Sequence, residues 1–333
     1  MTTSETILTV LFAINSATGI VFNVLVVVVI LRTNSLKTPM NYLLLNLAIS
    51  DIMISVFVLP RHVFFGAFNH QEDSRSDFLC KFISGGVFIW IGATAEGYTL
   101  ITIATERYLA ILHPYSFKKR ITIRKLRWIV PLCWGINTAV NTPTLAALSY
   151  SKERHFCIES WPEWVEPRAY VGFVFMVGTS SVVAMFVLYS FVIYYLWKGQ
   201  HNAIEASQNA RLKMRKRVTQ MLVIITVLHA CCRLPNYTFY LLAYVAPGAV
   251  YGSMVYNVTV LFILFNSVTH PFLLCLHLNT FRKGIKRLLG FGNSVVEPAN
   301  LMESTVQFNA GRINYNLHPR VSFEHSSQLI ARH

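Results

Sequence analysis

Seven long apolar segments constrain the fold of this chain more than any other feature of its sequence. Each provides the roughly 20 mostly apolar residues that an α-helix needs to cross the hydrocarbon core of a bilayer. The segments are residues 6–31, 41–65, 80–111, 125–149, 168–198, 211–245 and 250–276. Only 13% of the 333 residues are charged, against roughly a quarter in soluble domains. We therefore predict an all-α membrane protein, a bundle of seven transmembrane helices.

The segments outside the spans complete a four-part organisation. Residues 1–5 form a short N-terminal segment, and residues 6–278 hold the seven spans. The run FRKGIKRLL places apolar residues on one helical face and basic residues on the other, which predicts a short amphipathic eighth helix on the membrane surface over residues 279–290. Residues 291–333 are polar without strong periodicity, so we expect a flexible cytoplasmic tail. The first apolar run is longer than a signal-peptide core and is interpreted as a span.

Basic residues are distributed unevenly between the loops. The loops after the first, third and fifth spans are rich in Lys and Arg, whereas the opposite loops are mixed or acidic. Because cytoplasmic loops carry the excess of Lys and Arg, we predict an extracellular N-terminus and a cytoplasmic C-terminus, in the plasma membrane. The net charge of +14 is then explained by contact with the lipid bilayer and indicates no nucleic-acid partner.

Three charged residues fall well inside the predicted spans: Asp51, Glu96 and Arg233. Each costs about 2.5–3.5 kcal/mol at a helix centre, so each requires a partner or a function. Glu96 precedes Arg107 by 11 residues, which returns it to nearly the same helical face, three turns deeper. We therefore expect Glu96 to face the interior of the bundle.

Four stretches carry a family resemblance. The second span holds NYLLLNLAISD, ending at Asp51, and the third ends in TERYLAILHP; the sixth holds CRLP, and the seventh holds NSVTHPFLL, followed by NTFRKG. In this order the chain resembles the rhodopsin-like (class A) G-protein-coupled receptors over about residues 10–290. The resemblance implies a receptor, not an enzyme, that binds an extracellular ligand and activates a heterotrimeric G protein through its cytoplasmic face.

The resemblance also implies roles for individual residues. It assigns G-protein coupling and activation to Glu106, Arg107, Tyr108, Pro235 and Pro271, with Arg107 pairing to Glu106 in the resting receptor. It further implies a disulfide between Cys80 and Cys157, which lie on the oxidising side.

A buried polar pocket is the third implied feature. Asp51 resembles the carboxylate that holds a sodium ion in this family, and Glu96 is placed beside it. Two adjacent carboxylates cannot both ionise without a cation or a proton. Our hypothesis is that Arg233 bridges both acids in place of sodium; the alternative is that Arg233 binds an acidic ligand. The predicted pocket comprises Asn23, Asp51, Glu96, Arg233, Asn266, Ser267 and His270.

The chain also departs from the family pattern. Arg233 stands where the family usually has Trp, His229 where it has Phe, and Leu274 replaces the tyrosine of the seventh span. Cys80 and Arg107 are 27 positions apart, about two more than usual. These departures leave open a non-signalling or constitutively active protein with the receptor fold.

The identity of the ligand is constrained mainly by exclusion. The seventh span contains no lysine from Met254 to His277, so we expect no retinal Schiff base and no cofactor. Ile89 and Trp90 are uncharged where amine receptors carry an aspartate. Aromatic and acidic loop residues favour a peptide with basic or amidated groups, and a small acidic or lipid-like ligand is second. The ligand-pocket candidates are Ile89, Trp90, Arg233, Asn236 and Trp161.

Two other classes of membrane protein fit the sequence less well. A transporter would use the intramembrane charges as a pathway, but matching halves with Gly- or Pro-broken helices are not found in the sequence. A membrane hydrolase would need clustered metal ligands, and the two intramembrane histidines, His229 and His270, do not have such spacing.

Overall fold

A computed structural model describes residues 2–64, 74–113, 116, 120–151, 153, 156–201 and 206–288. All of these residues fall within one compact unit, Met1–Ser294. The predicted flexible tail, residues 291–333, lies outside the described residues and stays a prediction.

Eight long helices account for most of the described chain. Helix boundaries differ from the predicted ones by a few residues because a hydrophobic pattern locates the lipid-crossing part and not the caps. The helices are α1 (Thr3–Arg32), α2 (Pro39–His62), α3 (Val87–Leu112), α4 (Ile123–Ala147), α5 (Pro167–His201), α6 (Ala206–Val245), α7 (Met254–His277) and α8 (Asn279–Leu288).

Among the described residues, six helical segments are long and apolar enough to cross a membrane, and they correspond to α1, α2, α3, α5, α6 and α7. The exception, α4, begins with the basic residues Arg124, Lys125 and Arg127. Its remaining surface is nevertheless suited to lipid, because Trp128 and Leu132, one turn apart, are 79% and 63% exposed. Large exposed apolar side chains are uncommon in contiguous patches on soluble proteins and are expected where hydrocarbon is the solvent.

The backbone between Cys80 and the start of α3 is irregular. A short helix, Ser74–Leu79, leads into a π-helical turn, Cys80–Ser84, whose wider turn takes up an additional residue. The chain then breaks at Gly86, whose φ of +83° is left-handed, before α3 begins. The irregular backbone thus ends before α3, which is one continuous helix from Val87 to Leu112.

A β-hairpin lies between α4 and α5. Strand β1 (Leu148–Ser151) pairs antiparallel with β2 (Phe156–Glu159). Cys157 of β2 is joined to Cys80 by a disulfide, as the resemblance implies. We call this end of the bundle the disulfide end and the opposite one the Arg107 end.

Helix α8 packs against the C-terminal end of α1, at the Arg107 end of the bundle. Phe281 is fully buried, and Gly284 lies so close to α1 that a Cβ atom there would be 2.7 Å from the side chain of Val29. Arg282, Lys283 and Arg287 remain exposed. The predicted amphipathic eighth helix is therefore present, with residues 289–290 of its predicted range outside the described part.

Two apolar clusters fill the interior of the bundle. One, at the Arg107 end, contains Val29, Leu43, Leu100 and Met221. The other, toward the disulfide end, contains Phe12, Ile54, Val58, Ile89 and Tyr256. The buried charged side chains Asp51, Glu96 and Arg233 lie between these two clusters along the bundle.

Candidate functional site

A cavity of about 860 Å³ opens in the disulfide half of the bundle between α3, α4, α5 and α6. Of the predicted ligand-pocket residues, Trp90, Arg233 and Asn236 line it. Arg233 is the deepest of the α6 residues in its wall. The other lining residues are mostly apolar or aromatic: Ala93, Thr94, Gly97, Tyr98, Val140, Asn141, Thr144, Tyr170, Val174, Val177, Gly178, Ser181, Tyr237, Tyr240 and Tyr256.

The other two predicted pocket residues lie outside the walls of this cavity. Ile89 is 1% exposed and belongs to the apolar cluster with Ile54 and Val58, so it contributes packing between helices. Trp161 lies in the loop above, where its Nε1 donates a hydrogen bond of 2.8 Å to the hydroxyl of Tyr244. Its ring also packs on the ring of Tyr170, and the two ring centroids are 5.1 Å apart.

Sequence analysis missed a cluster of tyrosines around an acid at the disulfide end. The hydroxyls of Tyr240 and Tyr244 on α6 both donate to Oε2 of Glu159, the former at 3.3 Å. Burial raises the pKa of the Glu159 carboxyl, against the lowering effect of its tyrosine donors. The i, i+4 spacing of the two tyrosines places them on one helical face. This spacing was the one signal in the sequence that could have pointed to the cluster.

Arg61 joins this cluster from α2. Its Nη1 donates to the carbonyl oxygen of Gly85 at 2.7 Å, and its Nη2 donates to the hydroxyl of Tyr251 at 3.4 Å. Arg61, Glu159, Tyr244 and Tyr251 also line a second hollow, of about 1320 Å³. We call this wider, more polar space the vestibule.

Glu96 is the centre of a polar cluster beneath the cavity, and its side chain is 0% exposed. Its Oε2 accepts a hydrogen bond from Nη2 of Arg233, with which it forms an ion pair. Its Oε1 lies 2.9 Å from Nδ1 of His229 and accepts a 2.5 Å hydrogen bond from Nδ2 of Asn266. One carboxylate on α3 therefore holds two side chains of α6 and one of α7.

Asp51 has a different partner. Its Oδ2 lies 2.8 Å from Nδ1 of His270 on α7, and both side chains are buried. On the neighbouring face, Asn23 of α1 donates to the carbonyl oxygen of Ser267 at 3.2 Å. These contacts thus bring the seven residues of the predicted pocket near one another, and their role as an ion pocket stays a prediction.

The predicted bridge between the two acids requires a correction. Arg233 contacts Glu96 and the carbonyl oxygen of Ala93, the latter at 3.3 Å, while Asp51 pairs with His270. The reason is geometric: Glu96 lies on the side of α3 that faces α6, which carries Arg233, whereas Asp51 on α2 faces α7. Each acid therefore has its own nitrogen partner, and the guanidinium does not span both.

The residues present fit a sodium ion poorly. Ligand atoms of Asp51, Glu96 and His270 do lie within 4.8 Å of one another. However, both oxygens of Glu96 and one oxygen of Asp51 already accept or share hydrogen bonds. Among the described residues of the cluster, Oδ1 of Asp51 and Oδ1 of Asn266 are the side-chain oxygens without a protein partner near both acids. A positive guanidinium is also already present beside Glu96. A hard cation needs several free oxygen ligands, and this set offers few.

The Arg107 end carries the other predicted site. Nε of Arg107 donates to Oε2 of Glu106 at 2.5 Å, and both side chains are partly exposed. The rings of Tyr108 and of Phe191 on α5 pack edge to face, with their centroids 6.1 Å apart. Pro235 and Pro271 lie within α6 and α7, where each removes one backbone hydrogen bond and permits a kink.

Comparison with known proteins places these features in a family. The family described as 7 transmembrane receptor (rhodopsin family) matches residues 22–274, which is most of the chain. The chain is 26% identical over 286 residues to a pyroglutamylated RF-amide peptide receptor of Mus musculus, covering 78% of this chain and 64% of that receptor.

Two further relatives show the same range of similarity. A QRFP-like peptide receptor of Branchiostoma floridae is 28% identical over 247 residues, covering 71% of this chain and 64% of the relative. A galanin receptor type 2 of Mus musculus is 27% identical over 287 residues, covering 83% of this chain and 74% of that receptor. The chain thus spans less than two thirds of the length of the first two relatives. Because the family match covers residues 22–274, which is most of the chain, this chain belongs to the rhodopsin family of seven-transmembrane receptors.

Proposed function

We propose that this protein is a receptor for an extracellular peptide and that it activates a heterotrimeric G protein. The observation that carries the proposal is the position of two sites on the same helix. Trp90 and Tyr98 of α3 line the cavity, and Glu106 and Arg107 form their pair at the other end of α3. A ligand in the cavity and a partner at the Arg107 end would therefore act on one rigid element.

The proposed orientation puts the disulfide end outside the cell and the Arg107 end in the cytoplasm. The disulfide supports this because such bonds persist in oxidising compartments. The excess of Lys and Arg in the loops at the Arg107 end supports it independently. The plasma membrane is the compartment in which a receptor so oriented would meet an extracellular ligand.

A peptide is favoured as the ligand by the shape and chemistry of the disulfide end. The cavity and the vestibule together offer more space than one small molecule needs, since small-molecule sites are typically about 300–1,000 Å³. The cavity would take an apolar or aromatic side chain. The vestibule holds a carboxyl group, Glu159, that suits a cationic side chain. Relatives of the chain include receptors named for peptides.

The test is a screen of peptides on cells that express the chain with a promiscuous G protein, against empty-vector cells. Three forms are compared at matched surface expression: the unmodified receptor, Arg107→Ala, and Arg168→Ala. Arg168 is an exposed arginine at the start of α5, at the disulfide end, and serves as the matched control. We expect a peptide response that Arg107→Ala abolishes and Arg168→Ala preserves.

The same experiment distinguishes the alternatives. Signalling without any peptide that still depends on Arg107 would indicate a constitutively active receptor instead of a peptide-activated one. A response that survives Arg107→Ala, or no G-protein response from any correctly inserted form, would contradict the proposed coupling.

A further inference from the structure

We propose that Arg233 is the built-in counter-ion of the buried polar cluster, and that this receptor is therefore stable without a bound sodium ion. The inference concerns the core of the bundle and does not depend on which ligand or G protein the receptor uses. It rests on the positions of the cluster residues and on the partners of their oxygen atoms.

Charge balance is the first step. Asp51 and Glu96 are both 0% exposed, and their ligand atoms come within 4.8 Å of each other through the site they share with His270. Two carboxylates this close need positive charge nearby. Arg233 is 1% exposed, and a guanidinium stays protonated in proteins. The chain thus supplies one permanent positive charge inside the cluster.

The second step is that the carboxylate oxygens are already used. Of the four, Oε2 of Glu96 pairs with Arg233, Oε1 of Glu96 with His229 and Asn266, and Oδ2 of Asp51 with His270. The remaining oxygen, Oδ1 of Asp51, is the one without a partner among the described residues. A metal ion between the acids would have to displace side chains that are packed and hydrogen-bonded.

The third step concerns where the guanidinium is held. Arg233 is anchored from below by Glu96 and by the carbonyl oxygen of Ala93, and it forms part of the cavity wall above. A counter-ion attached to α6 cannot dissociate as a sodium ion can. The charge balance of the core is therefore independent of the salt composition of the medium.

The experiment uses the full chain, purified and reconstituted in lipid nanodiscs. Thermal unfolding is measured in sodium chloride and in choline chloride at equal ionic strength. We expect the unmodified receptor to have the same unfolding midpoint in both salts. In Arg233→Met, which removes the charge but keeps much of the volume, sodium should raise the midpoint by about 2–4 °C or more, because a ligand that binds only the folded state stabilises it.

Two further variants make the result specific. Arg233→Lys retains a positive charge and should remain insensitive to sodium. Arg233→Met combined with Asp51→Asn removes one acid and should lose the sodium effect that Arg233→Met gains. If Arg233→Met alone does not fold, Arg233→Gln, which also lacks the charge but keeps a hydrogen-bond donor, should show the same gain.

Two outcomes would overturn the inference. One is a higher midpoint in sodium than in choline for the unmodified receptor, since its core would then bind the ion despite Arg233. The other is the absence of any sodium effect in Arg233→Met and in Arg233→Gln, because removal of the counter-ion would then have created no need for another cation.

Discussion

Arg233 on α6 and Glu96 on α3 form an ion pair although they are 137 positions apart in the chain, and their side chains are 1% and 0% exposed. A buried charge that loses its partner is costly, whereas removal of both charges is much less so. The pair therefore makes the position of α6 relative to α3 sensitive to this electrostatic contact, at the level between the cavity and the Arg107 end.

The first prediction concerns the stability of this pair. Glu96→Gln and Arg233→Met should each lower the free energy of unfolding by about 3–5 kcal/mol, because each leaves a charge buried without its partner. The double variant should lose clearly less than the sum of the two. The measurement is a double-mutant cycle on unfolding midpoints of the reconstituted protein at fixed salt, and additive losses would contradict the pairing.

The second prediction concerns Glu159 and rests on the proposed peptide ligand. Glu159→Gln should weaken binding of a peptide with a cationic residue about tenfold or more, since a charged hydrogen bond contributes about 1.5–3 kcal/mol. The matched control, Glu163→Gln, changes an exposed acid in the same loop and should leave affinity within about twofold. Equal effects of the two variants would count against a specific role for Glu159.

Glu159 also gives the binding a pH dependence of known sign. Burial raises the pKa of its carboxyl, so the group becomes protonated at a higher pH than an ordinary glutamate. Affinity for the cationic peptide should fall as the pH is lowered through the raised pKa, and Glu159→Gln should remove this dependence. For folding the sign is opposite, because the folded state favours the neutral carboxyl and loses that advantage as the pH rises through the raised pKa.

The third prediction concerns the break before α3. Gly86 has a φ of +83°, and an added Cβ would lie 3.0 Å from Cδ of Arg61. Gly86→Ala should therefore cost about 1–2 kcal/mol for the left-handed backbone, and more if Arg61 has to move. Gly135→Ala is the control, since Gly135 lies within α4 and no atom is within 4 Å of its added Cβ; it should be neutral or stabilising. The measurement is the unfolding midpoint, and equal effects would show that the break carries no strain.

Much of the architecture could be predicted from the sequence, because the relevant forces are local. A run of about 20 apolar residues forms a span wherever it stands in the chain, so the seven helices and the amphipathic α8 follow from composition and period. Helical phase also placed Glu96 on the inner face of α3, and the resemblance placed it beside Asp51. The disulfide between Cys80 and Cys157 followed from the resemblance.

Which polar groups meet was decided by the tertiary structure. Distance along the chain says nothing about how α6 and α7 are rotated about their axes, and a rotation of a few tens of degrees exchanges one partner for another. Hence Arg233 pairs with Glu96 alone, His270 takes Asp51, and Ile89 faces the apolar cluster instead of the cavity. Glu159 met its tyrosines because the disulfide fixes a loop over α6. Hydrogen bonds and ion pairs act only over a few ångströms, so packing, which arranges the helices, also chooses the partners.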